Sequence, residues 1–340
     1  MFNKLYENKK KNNKEKPSKL MTFISIINVI LISLILISLF IELPYGVYMP
    51  GGATSVINQL SNVKKKPSGD IATTHVSYVG GEILTIIGSF FVPNWDIVKV
   101  DDIKYSNEDI KEANQRRKIE MISSADAATI VAYKKAGKEL IINSEDYVVS
   151  YILPEAKTNL IIGDKILKYE TYDYVGEEMS NCINTLNVGD DIRLTVKRDG
   201  RNVITKSKVV EIEGNKYIGI QVTTLNHFDK STVTFNPNEN ESGASGGLMM
   251  SLGIYNSITN EDITKGRKIC GTGTIDLEGN VGEISGVKYK VIGAKKDKCD
   301  IFLVPKENYE EAKNTINKFN YDIELKQVTT FDEALNYLKK

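Results

Sequence analysis

Ser245 stands in Gly243-Ala244-Ser245-Gly246-Gly247, which fits G-x-S-x-G. In such a turn the glycines clear side chains from around a hydroxyl that could attack a carbonyl carbon. Leu248, Leu252 and Tyr255 follow at helical spacing, so Ser245 is expected at a helix N-terminus, where free N–H groups can hold an oxyanion. Gly243, Ala244 and Gly246 are the candidate turn and oxyanion residues, and a plain N-cap serine is the bland alternative. A serine hydroxyl needs a base to become a nucleophile. Only His75 and His227 exist, both precede Ser245, and both read as surface or packing residues. Lysine remains, provided burial lowers its pKa toward neutrality. Lys288, in Ile284-Ser285-Gly286-Val287-Lys288, is the leading candidate: a helix begun near Ser285 sets Val291 and Ile292 at i+3 and i+4 from it. Lys295 and Lys296 fall later, toward solvent, while pattern alone does not exclude Lys290, and Lys288 could equally be a surface helix lysine.

The elements that must position these residues fall into three patterns. Residues 43–146 carry β-like runs at Ile71–Val79, Ile83–Val92 and Ile97–Val100, punctuated by Gly51-Gly52, Gly80-Gly81 and Pro93. An amphipathic helix is expected from about Asn107 to Lys138, ending at Gly137. Residues 147–213 read strand, strand, helix, strand, strand, with Gly-Asp turns between apolar runs. Residues 214–340 begin with IGIQV and TVTF and close on the alternation IFLVP, KENYEEAKNTINKF, IELKQV, FDEALNYLKK, an α+β domain. The fold class expected of the whole is therefore α+β.

Composition removes several classes of function. Lys and Arg number 44 against 44 Asp and Glu, so the broad basic field of a duplex-DNA binder is missing and no nucleic-acid partner is expected. Cys182, Cys270 and Cys299 are odd in number and far apart, and indicate neither a disulfide framework nor a zinc site; no metal and no cofactor is expected. Leu20–Ile41 is a 22-residue stretch without charge, which spans about 33 Å as a helix and crosses a bilayer once. It is too long for the apolar core of a cleaved signal peptide, and Glu42-Leu43-Pro44-Tyr45 offers no small-x-small cleavage site. Seven lysines against Glu7 and Glu15 precede it, which favours a cytoplasmic tail at 1–19, an anchor at 20–42, and everything later outside. That tail reads as solvated chain, or as a segment that also binds anionic headgroups. The part after residue 42 carries a net charge of −4.

The turns Gly163-Asp164-Lys165-Ile166-Leu167 and Val188-Gly189-Asp190 through Arg198-Asp199-Gly200 resemble the second half of a bacterial PDZ domain. That resemblance implies capture of an extended peptide as an added strand beside a groove, the alternative being a β-rich spacer. Residues 214–340 resemble the proteolytic domain of Lon, in which a serine turn, a T-G-x-I strand and a G-G-[LIV]-K helix start follow in order. Here these read GASGG, Thr272-Gly273-Thr274-Ile275 and Ser285-Gly286-Val287-Lys288, with Lys288 43 residues after Ser245. Ala244, Gly246 and Ser285 depart from the usual residues but are all small. The resemblance implies a Ser245–Lys288 dyad, with Thr272 orienting the lysine.

The whole arrangement resembles membrane-anchored Lon-like peptidases. It implies an exported serine endopeptidase that cleaves peptides or flexible segments, without ATP, since no G-x-x-x-x-G-K-[ST] occurs. Oligomerisation is compatible with the sequence but not indicated by it. An α/β-hydrolase needs a histidine after the serine, and a trypsin-like pair of barrels is broken by the segments between His75 and Ser245. Signal peptidases place the serine close after the membrane span. A non-catalytic binding protein with a relic peptidase fold is the rival from another class.

Overall fold

The computed structural model describes residues 18–38, 41–63, 65–170, 172–173, 176–238 and 240–340. Residues 1–17 of the expected cytoplasmic tail lie outside them. The first described helix, α1 (Lys19–Ser38), is long and apolar enough to cross a membrane once, and its apolar window is not buried among the described residues.

The main body is built on a six-stranded sheet with the order β16-β15-β12-β2-β1-β3. Its members are β1 (Glu42–Ser55), β2 (Asp70–Glu82), β3 (Asp96–Lys99), β12 (Lys268–Gly271), β15 (Ile301–Pro305) and β16 (Glu324–Val328). β1 pairs antiparallel with β2 and β3, whereas β2, β12, β15 and β16 run parallel. Between β2 and β3 lies the short helix α2 (Ile83–Ser89), and after β3 comes the long helix α3 (Ile110–Lys135). α3 starts at a capping box: the Asp109 carboxylate accepts from the Glu112 N–H at 2.8 Å and the Glu112 carboxylate from the Asp109 N–H at 2.9 Å. Its inner face, Met121, Ala125, Ala128, Val131 and Ala132, packs on α5 (Gly247–Ile258) through Leu248, Leu252 and Tyr255. Parallel strands need crossovers, and α6 (Val287–Lys296) and α7 (Tyr309–Phe319) supply them. α8 (Phe331–Lys339) closes the chain with Phe331 and Leu338 fully buried.

A second sheet, with the order β11-β4-β5-β7-β8, leaves the body after α3 and returns to it. It contains β4 (Ile142–Ile152), β5 (Lys165–Tyr169), β7 (Asp191–Arg198), β8 (Arg201–Lys208) and β11 (Ile220–Phe228), with β6 (Tyr172–Asp173) on β5 and a β9–β10 hairpin (Val210–Ile212, Asn215–Tyr217) beside it. One helix, α4 (Gly176–Thr185), covers it, burying Met179 and Ile183 against Ile166, Ile192, Leu194 and Val196. Arg198 clasps the fully buried Asp164 carboxylate at 2.7 and 2.6 Å, tying one Gly-Asp turn to the other hairpin.

Three expectations need correction. The expected bounds shift: β1, β2 and β3, from within 43–146, build half of the main sheet, so the body that also holds the C-terminal strands is discontinuous, and the β-rich unit is inserted into it across 142–228 rather than 147–213. Ile83–Val92, read as a strand, begins as helix α2, because its apolar residues do not alternate with polar ones at period two and so give no one-sided face to hold it in a sheet. Cys270 and Cys299 are joined in a disulfide, with Cα atoms 5.8 Å apart, leaving Cys182 free. Denatured protein should accordingly react with one equivalent of a thiol reagent before reduction and three after it. Cys270→Ser should lower unfolding stability by about 2–4 kcal/mol in denaturant titrations under oxidising conditions.

Candidate active site

The serine turn is fixed from two sides before its chemistry begins. From α3, the Arg117 carbonyl accepts the Gly243 N–H at 2.9 Å and the Ser124 hydroxyl donates to the Ala244 carbonyl at 3.0 Å. From the strand side, the Thr272 hydroxyl and the Gly273 N–H both donate to the Ser245 carbonyl, at 2.9 and 2.8 Å. Gly247 has to be glycine here, since a Cβ would lie 2.8 Å from Ile275 and 2.9 Å from the Ser124 hydroxyl. The Gly243 N–H is spent on α3, so that residue shapes the turn; among the described residues the Ala244, Ser245 and Gly246 N–H groups meet no acceptor.

Lys290 comes to the same place from α6. That helix starts at Gly286, whose φ of +73° is left-handed and whose missing Cβ would sit 2.8 Å from Val76. Val287, Val291 and Ala294 form its inward stripe, and Lys290 falls on it, 3% exposed. The Lys290 amine donates to the Thr272 hydroxyl at 3.0 Å. Because the single Thr272 proton is already directed to the Ser245 carbonyl, that oxygen can only accept from the amine. Burial, with no other cause, pushes the Lys290 amine down to about 7. Ser245, Gly243, Gly286 and Lys290 line one cleft of about 440 Å³.

Lys288, the lysine favoured on sequence, is elsewhere. Two residues away on a helix is more than half a turn, and its amine pairs at 2.7 Å with Asp96 of β3, at the partly exposed side of α6. Asp96 also accepts from the Tyr289 hydroxyl at 2.7 Å, and these donors hold its carboxyl below the usual carboxylate range against the opposing effect of desolvation. Periodicity separates the two lysines: the Val287–Val291–Ala294 stripe takes in position 290 and leaves out 288. Thr272 is fully buried between the serine turn and the lysine. His75, read as a surface or packing residue, lines the cleft from β2, its ring against the Gly51-Gly52 bulge of β1. Burial lowers its pKa, and among the described residues no hydrogen bond joins it to Ser245. His227 pairs with Asp146 in the inserted sheet, at 2.9 Å. Beside Ser245 a smaller pocket of about 110 Å³ is lined by Met121, Phe235 and Met250.

The model of the Lon protease (S16) C-terminal proteolytic domain matches residues 163–339, just over half of the chain. The chain belongs to the Lon proteolytic-domain family. It is 26% identical over 183 residues to the Lon protease of Campylobacter jejuni, covering 52% of this chain and 22% of that protein. It is 34% identical over 82 residues to the Lon protease of an aster yellows witches'-broom phytoplasma, covering 22% of this chain and 10% of that one. The chain thus spans about a fifth or less of the length of these Lon relatives. Among solved structures, the PDZ domain of the SdrC-like protein Lmo2051 from Listeria monocytogenes is similar at 21% identity, covering 23% of this chain and 85% of that one with a TM-score of 0.20. In the inserted unit of this Lon-family chain a groove of about 380 Å³ runs between α4 and the edge strand β11, lined by Met179, Ile183, Ile218, Ile220 and Val222.

A buried amine near pKa 7 leaves a signature in stability. Between about pH 7 and the ordinary lysine value the unfolded chain holds a proton that the folded chain lacks, so the cost of burial is complete below pH 7 and fades as pH rises toward 10.5. Lys290→Met should therefore raise unfolding stability more at pH 6 than at pH 10, measured by denaturant titration, whereas Lys288→Met should show no such gain.

Proposed function

We propose that the chain is a membrane-anchored serine endopeptidase that cleaves extended polypeptide outside the cytoplasm, without ATP, by a Ser245–Lys290 dyad. One observation carries this reading: the Lys290 amine is buried, lowered to about 7, and hydrogen-bonded to the hydroxyl that holds the Ser245 carbonyl. In the mechanism, neutral Lys290 accepts the Ser245 proton as the oxygen attacks the substrate carbonyl carbon. The oxyanion draws on the N–H groups of the serine turn that meet no acceptor. Collapse breaks the C–N bond, the lysine returns the proton to the leaving amine, and a water then attacks the acyl-serine by the same exchange. Thr272 orients the amine rather than touching substrate.

The α4–β11 groove suits capture of an extended segment as a strand added to the open edge of β11. β11 ends at Phe228, and the chain then runs on to the serine turn. No G-x-x-x-x-G-K-[ST] lies within these 340 residues, so the substrates that fit are tails and loops already unfolded.

Ser245→Ala and Lys290→Ala should each abolish most cleavage of a fluorogenic peptide, and the double variant should lose little more, since the pair acts as one unit. Lys290→Arg should be equally inactive. Lys288→Ala should keep activity, and kcat/KM should rise with pH through about 7 as Lys290 loses its proton. An inactive Lys288→Ala beside an active Lys290→Ala would return the base to Lys288.

A further inference from the structure

Ile83–Val92 carries no charged residue, yet the fold leaves it outside the core. Leu84 and Ile87 of α2 are 46% and 49% exposed, and Phe90 and Phe91, which continue its turn, are 74% and 80% exposed. Leu84, Ile87 and Phe91 recur at i, i+3 and i+7 and so share one face. The polar groups of the segment are satisfied locally: the Thr85 hydroxyl donates to Glu82 at 3.2 Å and the Ser89 hydroxyl to the Ile86 carbonyl at 2.7 Å. It therefore has the make-up of a surface that leaves water.

Its place in the sheet says what it meets. α1 ends at Ser38 and β1 begins at Glu42, a step of at most about 14 Å for the chain. Glu42 pairs directly with Glu82, the residue before α2. The apolar segment is thereby held within a short reach of the point where α1 leaves its bilayer. On the far side it returns through Trp95, the chain's one tryptophan, whose indole packs near Gly88 of α2. A tryptophan at the edge of an apolar patch is the arrangement favoured at a membrane interface.

From this register we infer that α2 and Phe90–Val92 form a second membrane contact, seated in the interface of the leaflet from which α1 emerges. The inference rests on α1 being a membrane anchor, and the two can be tested apart in one preparation. The full chain is reconstituted into phosphatidylcholine–phosphatidylglycerol vesicles, with and without lipids brominated high on the acyl chain, and the emission of Trp95 is read. Bromine should reduce the wild-type emission, and Phe90→Ser/Phe91→Ser should reduce it less while the protein stays with the vesicles after an alkaline wash. Undiminished wild-type emission in protein that resists the wash overturns the second contact and leaves the anchor standing. Protein stripped by the wash overturns the anchor, and the second contact with it. Emission blind to bromine, with Phe91→Glu dissociating an oligomer in sedimentation, would assign the patch to a second copy of the chain instead.

Discussion

The Thr272 hydroxyl is the point on which the site depends, because it hydrogen-bonds to both segments that carry the candidate residues. It donates to the Ser245 carbonyl at the start of α5 and accepts from the Lys290 amine of α6. An uncompensated ammonium in that position is costly, so the amine sits near pKa 7 and the helix that carries it must be held in place by other means. Gly286 lets α6 begin against Val76 of β2. The Cys270–Cys299 disulfide ties the end of β12, two residues before Thr272, to the segment just after α6. Asp96 fastens the outer side of the same helix through Lys288 and Tyr289. Three different kinds of bond thus hold one short helix against one threonine.

The discontinuous sheet follows from the same demand. β2 lies between β12 and β1, so the strand that carries His75 and Val76 forms a wall of the cleft although it precedes Ser245 by some 170 residues of chain. Inserting the β-rich unit between α3 and the serine turn leaves both ends of the insertion on the main body. Asp126 of α3 accepts the Asn226 N–H of β11 at 2.6 Å, and burial raises its pKa to about 6. The edge strand beside the α4 groove is therefore joined directly to the helix that pins Gly243 and Ala244.

Much of this could be read from residue types. Ser245 and its glycines, the amphipathic helix from about Asn107 and the apolar span are local signals, while Thr272 came from the likeness of its T-G-x-I strand to the Lon family. What could not be read is what depends on distant partners. The parallel pairing of β2 with β12 joins residues about 200 apart, and no period in either strand announces it. Cys270 and Cys299 meet only because β12 and β15 are neighbours. Lys288 was favoured because the count from the serine and the apolar residues at i+3 and i+4 both pointed to it. Those neighbours do not mark the core side: Val291 is buried and Ile292 only partly so, and the buried stripe that begins at Val287 runs past Lys288 and takes in Lys290.

The two lysines of this turn also show how a base can be kept weakly basic beside a charged neighbour. Burial alone accounts for the lowered pKa of Lys290, with no resolved contribution from Lys288, whose charge is met by Asp96. The amine is thus tuned by exclusion of water and not by repulsion between cations. Because Lys290 is 3% exposed with the cleft empty, that tuning belongs to the folded chain itself, and near pH 7 its neutral and charged forms are already comparably populated. The inner face of α6 supplies the dry surroundings and its outer side the ion pair, so two positions along one helix give one lysine hydrogen-bonded to Thr272 and another paired with Asp96.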